Sequence, residues 1–139
     1  MNNMDCIFCK IVKGEIPSYK IFENDKILAF LDIRPVNHGH LLIVPKLHHE
    51  NLSDTPDDLL CEIITVAKKL APAVLKATGL NDYNLIVNSG KVAGQIIFHT
   101  HFHIIPRFDG DGFGKWRAKE YQDGEAEEMA VKIRKALKH

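Results

Sequence analysis

The chain has 139 residues, 45% hydrophobic and 26% charged, with 18 Lys plus Arg balancing 18 Asp plus Glu. A chain of this length buries roughly two-thirds of its unfolded surface without disulfide staples, and zero net charge recruits neither nucleic acid nor an anionic membrane. No apolar run approaches the ~18 residues that span a bilayer, and Met1–Asp5 lacks the basic and apolar regions of a secretory leader.

The basic residues Lys115, Arg117, Lys119, Lys132, Arg134, Lys135 and Lys138 are interleaved with acids and read as solvated faces. Residues 1–4 are expected to be disordered, and with no framework of cysteines the expected compartment is a reducing cytoplasm. Cys6-Ile7-Phe8-Cys9 has three readings: half of a zinc site, a thioredoxin-like redox pair, or two idle thiols. The redox reading needs a strand before the motif, and five residues leave little room for one.

Lys20–Glu23 and Lys26–Leu31 flank Asn24-Asp25, which predicts a β-hairpin. Leu41–Val44, ended by Pro45, predicts a short strand buried on both faces. Thr55 is placed as the cap of a long helix, Pro56 at its first position, and Asp57 with Asp58 complement the dipole. Leu59, Leu60, Ile63, Ile64, Val66, Ala67, Leu70, Val74 and Leu75 supply its apolar stripe, with Cys61 as a small buried hydrophobe. Pro72 is expected to kink this helix and Gly79 to stop it. Tyr83–Asn88 and Phe98–Ile105 predict two further strands, and Glu125–Leu137 a second amphipathic helix through Met129, Val131, Ile133 and Ala136. These elements make one α+β domain over 1–139: a mostly antiparallel five-stranded sheet, one long helix and a C-terminal helix, with about 110–139 an extension.

The stretch "FHTHFHIIPRF" holds three of the chain's 8 histidines. On a strand, His99, His101 and His103 share one face ~6.5–7 Å apart, while Phe102 and Ile104 turn toward a core. That spacing makes a single shared ion difficult without bending the strand, and it suits lining an extended anion such as a chain of phosphates. An ordinary polar face would carry mixed Ser, Thr, Lys and Glu. Just upstream, Asn88–Gln95 is a glycine-bearing loop of the kind that aims backbone N–H groups at phosphate.

"HTHFHII" resembles the His-x-His-x-His-apolar-apolar signature of the histidine triad (HIT) superfamily of nucleotide-binding phosphoramidases, hydrolases and transferases. "IFCKIVKGEIPSYKIFENDKILAFLDIRPVNHGHLLIVPKLHHENL", "LIVNSGKVAGQIIFHTHFHIIPR" and "GDGFG" are similar, in the same order, to bacterial members of its nucleotide-binding branch. The resemblance runs through nearly all of the chain from Cys6 onward.

The resemblance implies a HIT-like fold and cleavage of nucleoside 5′-monophosphates from phosphoramidate, dinucleoside polyphosphate or acyl-nucleotide substrates. It places the covalent nucleotidyl-histidine on His101, with His103 and His40 as its catalytic partners. A neutral imidazole can attack phosphorus without a dedicated base. Phosphate donors are expected from His103, His40, Gly94, Gln95 and Asn88. Many triad proteins carry Ser or Thr where this chain has Ile96, which removes a hydroxyl from the leaving-group side.

By the same resemblance Phe8, Ile11, Ile16, Phe30 and Ile33 sandwich the base, a purine in the family, and Asp32 accepts from the ribose hydroxyls. A zinc-bearing subgroup matches Cys6, Cys9, His48 and His99, implying a closed, structural Zn site with no catalytic metal in the chemistry. His49 competes with His48 as ligand, and His38 and His139 have no assigned task. Trp116 is read as shaping the substrate entrance or as simple packing. Similar members form homodimers that join two sheets edge to edge. Two other functions remain open: a nucleotide-binding regulator with a vestigial site, and a catalytic metal held by all three triad histidines.

Overall fold

Ile27–Leu31 (β2) and Leu41–Pro45 (β3) are nearly continuous apolar runs, and every residue of β3 is buried. A strand buried on both faces must be covered on both, and the rest of the fold supplies the covers. In the computed structural model, which describes residues 5–114 and 116–137, helix α1 spans Ile7–Val12, strand β1 Lys20–Glu23 and helix α2 Asp57–Thr78. Strand β4 spans Asp82–Val87, β5 Phe102–Arg107 and helix α3 Glu125–Ala136. The expected disorder of residues 1–4 and the readings of Lys115, Lys138 and His139 fall outside the described residues.

The five strands form one antiparallel sheet in the order β1-β2-β3-β5-β4. Asn24 builds the first hairpin, its Oδ1 accepting from the Lys26 and Ile27 N–H groups at 2.9 and 2.8 Å. Alternation then sorts the side chains. Ile27, Ala29, Leu41, Ile43, Phe102 and Ile104 pack with Ile63, Val66, Ala67, Leu70, Ala71 and Val74 of α2. Leu28, Phe30, Leu42 and Val44 face the other way and pack with Cys6, Phe8, Cys9 and Ile11 at α1. The single turn and a half of α1 covers only part of that second face.

Several local expectations are corrected. Thr55 does not cap α2: Pro56 takes that position with no side-chain cap, and the Thr55 hydroxyl donates to the Asn51 carbonyl at 2.8 Å. A 3-10 turn at Leu52–Asp54 delivers the chain to the helix and leaves Thr55 buried on its inner side. Cys61 is exposed because the buried positions 63, 66, 67, 70, 71 and 74 define the inner face and residue 61 lies about 200° from 63. Ile64 is exposed for the same reason. The helix continues unbroken past Pro72 to a left-handed Gly79.

The last strand starts at Phe102, not Phe98, and extends through Pro106 to Arg107. The detour arises because the Thr100 N–H donates to the His49 carbonyl at 2.7 Å, outside the ladder. Helix α1 was not anticipated: its β-branched sequence reads poorly as a helix, and the Cys6 sulfur, accepting from the Cys9 N–H at 3.3 Å, initiates it. Helix α3 buries none of its residues.

Candidate active site

The part of the second sheet face that α1 leaves open is a cavity of about 570 Å³. Its apolar end holds Phe8, Ile11, Ile16, Phe30 and Ile33, and its polar end Asp32, Gly94, His101 and His103. Phe8 and Phe30 meet edge to face with centroids 5.6 Å apart. Ile96 lines the mouth at 87% exposure, and Arg34, which sequence reasoning overlooked although it stands two residues past Asp32, lines the wall. Trp116 is exposed. A larger, more open groove of about 860 Å³ runs beside Val36–Gly39 and the end of α2, with His38 the one histidine among the described residues that line it.

The irregular entry to β5 separates the three triad histidines. His99 turns into the protein interior, and His101 and His103 line the cavity with ring centroids 5.0 Å apart. Among the described residues no metal-type cluster contains all three, so one ion held by the whole triad is not supported.

Hydrogen bonding fixes the tautomers. His101 Nδ1 lies 2.7 Å from the His99 carbonyl, which can only accept, so Nδ1 carries the proton and Nε2 keeps its lone pair. His40 Nδ1 accepts from the Val36 N–H at 3.0 Å, which puts the His40 proton on Nε2. That nitrogen is 2.9 Å from His103 Nδ1, so it donates there and leaves the His103 proton on Nε2. The relay Val36 N–H, His40, His103 thus presents one N–H donor beside one bare imidazole nitrogen. Val36 contributes through its backbone, a role no side-chain motif announces.

Burial lowers the His101 pKa, opposed by the hydrogen bond to the His99 carbonyl. It pushes His103 down to about 4, reinforced by His101 and His40, and lowers His40 against the pull of Asp32. All three are therefore neutral at pH 7. Asp32 Oδ1 accepts from the Arg34 N–H at 2.8 Å, and Oδ2 stands 3.7 Å from His40 Nε2.

Gln95 and Asn88 are not among the residues lining the cavity. Gln95 is 1% exposed. Its Nε2 donates to the Glu50 and Ile97 carbonyls at 2.6 and 3.1 Å, and its Oε1 accepts from the Gly90 N–H at 2.9 Å. Both amide protons are engaged by backbone carbonyls, and the side chain braces the loop. Asn88 lies behind Gly94, where an added Cβ would come 3.4 Å from Asn88 Nδ2, and Gly94 has φ +103°. Glycine there serves both the backbone conformation and close approach.

A second cluster lies behind the first. Ligand-type atoms of Cys6, Cys9, His48 and His99 lie within 4.8 Å of one another. His99 Nε2 is 2.7 Å from the Pro45 carbonyl, so it holds the proton and Nδ1 is free to ligate, 3.3 and 3.5 Å from the Cys6 and Cys9 sulfurs. His48 Nδ1 is 3.4 Å from Cys9 Sγ, and its buried Nε2 has no partner among the described residues. His49 is outside the cluster and contributes its carbonyl to Thr100.

Burial, with Cys6 alongside, pushes the Cys9 thiol up to about 11, and burial pushes His99 down to about 4. Two cysteines and two neutral imidazoles, one already locked in the ligating tautomer, fit a four-coordinate Zn²⁺. Sequence reasoning missed the groups around this cluster: the Pro45 and His49 carbonyls, which no side chain signals, and Thr100, visible only as the residue between two triad histidines.

A model of the HIT domain matches residues 13–110. An adenosine 5′-monophosphoramidase from Candida albicans is 42% identical over 144 residues, covering 98% of this chain and 93% of that protein. An adenylylsulfatase from Arabidopsis thaliana is 42% identical, covering 96% and 70%. A crystal structure from Streptococcus mutans superposes with TM-score 0.91 at 38% identity over 99% of this chain and 87% of that one. A Zn-bound histidine triad family protein from Mycobacterium smegmatis superposes with TM-score 0.76 at 36% identity over 98% and 95%.

Proposed function

The chain belongs to the HIT domain family, and from that premise we propose that it is a nucleotide hydrolase or transferase acting through His101. The observation that carries this reading is the His101 ring, its Nδ1–H held by the His99 carbonyl and its Nε2 bare in an apolar-walled cavity. The names of relatives, a phosphoramidase and an adenylylsulfatase, support a nucleoside 5′-monophosphate bearing an amine or acid leaving group. Dinucleoside polyphosphates and acyl nucleotides belong to the same class of substrate.

His101 Nε2 attacks phosphorus and forms the N–P bond as the bond to the leaving group breaks, and that group departs with a proton taken from solvent, which the attacking water of the second step returns. Water then attacks the nucleotidyl-histidine, the N–P bond breaks, and the nucleoside monophosphate is released. His103 Nε2–H and the loop backbone at Gly94 stabilise the charge on the equatorial oxygens, and His40 holds the His103 tautomer. Phe8, Ile11, Ile16, Phe30 and Ile33 take the base, a purine on this reading, and Asp32 takes the ribose hydroxyls. Asn88 supports the Gly94 turn from behind.

Zinc held by Cys6, Cys9, His48 and His99 is structural on this reading, because four protein ligands leave no open position. Residues 1–139 act as one domain, with about 110–139 an extension. A homodimer is supported by β4, an edge strand with Tyr83 and Leu85 exposed. A cytoplasmic setting is supported by cysteines that form no disulfide among the described residues. Among the described residues, no helix is long and apolar enough to cross a membrane.

The test is turnover of an adenosine phosphoramidate by His101→Ala. A loss of about three orders of magnitude or more is expected, with AMP still bound. Undiminished turnover would refute the mechanism, and a wild type that binds AMP yet cleaves no phosphoramidate would make the protein a regulator.

A further inference from the structure

The peptide unit joining His99 to Thr100 is held at both ends. Its carbonyl accepts from His101 Nδ1 at 2.7 Å, and its N–H donates to the His49 carbonyl at 2.7 Å. The flanking side chains are fixed as well. His99 is fully buried, with Nε2 donating to the Pro45 carbonyl and Nδ1 facing two sulfurs. Thr100 is 1% exposed. Its hydroxyl lies 2.8 Å from that of Thr55 and 3.2 Å from the His49 carbonyl, and Thr55 donates onward to Asn51.

Each end of this peptide therefore meets the four-donor cluster. The carbonyl belongs to the ligand-type residue His99, and the N–H bonds the residue next to His48. Phe8 supplies a second link, its ring edge to face with both His99 and His101, at centroid distances of 5.9 and 5.1 Å. Phe8 lies between Cys6 and Cys9 on α1. Neither threonine lines the cavity.

We propose that this peptide couples metal occupancy to the reactivity of the nucleophile. An ion held by Cys6, Cys9, His48 and His99 pins one end, the buried Thr55–Thr100 hydroxyl pair pins the other, and together they keep the His99 carbonyl on His101 Nδ1. If that acceptor swings away, the ring proton is free to move to Nε2, and the attacking nitrogen loses its lone pair. Thr100 and Thr55 are positioning residues in this scheme, and the metal site sets the nucleophile's tautomer without touching substrate. The proposal rests on the reading of His101 as nucleophile.

The experiment is ¹⁵N NMR of the His101 ring, alongside kinetics, on four proteins: Zn²⁺-loaded wild type, chelator-stripped wild type, Thr100→Val and Thr100→Ser. Loaded wild type should show one tautomer with the proton on Nδ1. The stripped protein and Thr100→Val should show a mixed signal, and kcat should fall about 10-fold, the worth of one hydrogen bond, with AMP affinity within about 2-fold of wild type. Thr100→Ser should restore both readouts. Thr55→Val, which removes the partner hydroxyl, carries the test should Thr100→Val fail to fold.

A single Nδ1-protonated signal with undiminished kcat in the stripped protein or in the valine variant overturns the coupling. Turnover surviving in His101→Ala would instead remove the nucleophile assignment, while the tautomer measurement would still decide whether the peptide is coupled to the metal.

Discussion

Gly39 stands immediately before His40, and replacing it by alanine tests how the fold holds the relay. Its φ is +100°, outside the comfortable range of L side chains, and an added Cβ would meet Thr78 Cγ2 at 2.8 Å and Pro106 Cγ at 3.4 Å. Thr78 cannot turn aside freely, because its hydroxyl is bonded to the Val74 carbonyl at 2.8 Å and rotation would break that bond. The backbone conformation costs about 1–2 kcal/mol and the overpacking about 1–3 kcal/mol, so Gly39→Ala should destabilise by about 2–5 kcal/mol.

With a urea m-value of about 2 kcal/mol/M, the unfolding midpoint should fall by about 1–2.5 M. Gly79→Ala is the control: its φ is +74°, but an added Cβ has nothing within 4 Å, so only the conformational cost of about 1–2 kcal/mol applies. The difference between the two midpoints isolates the contact with Thr78. Equal midpoints would refute the packing argument, and an unshifted Gly39→Ala would refute the claim that this turn requires glycine.

Two further outcomes follow from the site. His101 attacks as the neutral ring and its pKa lies below the usual 6.5, so the acid limb of kcat/KM should fall below pH 6.5; a limb at or above 7 would contradict the burial that lowers it. The depressed folded-state values of His101 and His103 also mean that their stability contribution is complete above about 6.5 and is lost as pH falls below it, for His103 toward about 4, at about 1.4 kcal/mol per pH unit for each ring that protonates only on unfolding. For the cluster, elemental analysis should find bound zinc lost in Cys6→Ser and retained in His101→Ala. Zinc lost from His101→Ala, or retained at full occupancy in Cys6→Ser, would reverse the two assignments.

Local chemistry made much of this protein legible in its sequence. The apolar runs of β2 and β3, most of the stripe of α2, the Asn24 turn and the Gly79 stop need only neighbours a few residues away, and each appears where expected. The motif residues at the cavity, from Phe8 to His103, were likewise identifiable as a set, because their order along the chain is itself the pattern.

What the tertiary structure alone decided are the partners. His48 rather than His49 joins the cysteines because the His49 carbonyl is turned to Thr100. Gln95 braces a loop because the Glu50 carbonyl, 45 residues away, takes its amide proton. Thr55 serves Thr100 instead of capping α2, and the three triad histidines divide between two sites because the chain leaves the ladder before Phe102. A hydrogen bond is fixed by distance and direction to one acceptor, and backbone carbonyls such as those of Pro45, His49 and His99 carry no residue signature. Their assignment therefore waits on the fold.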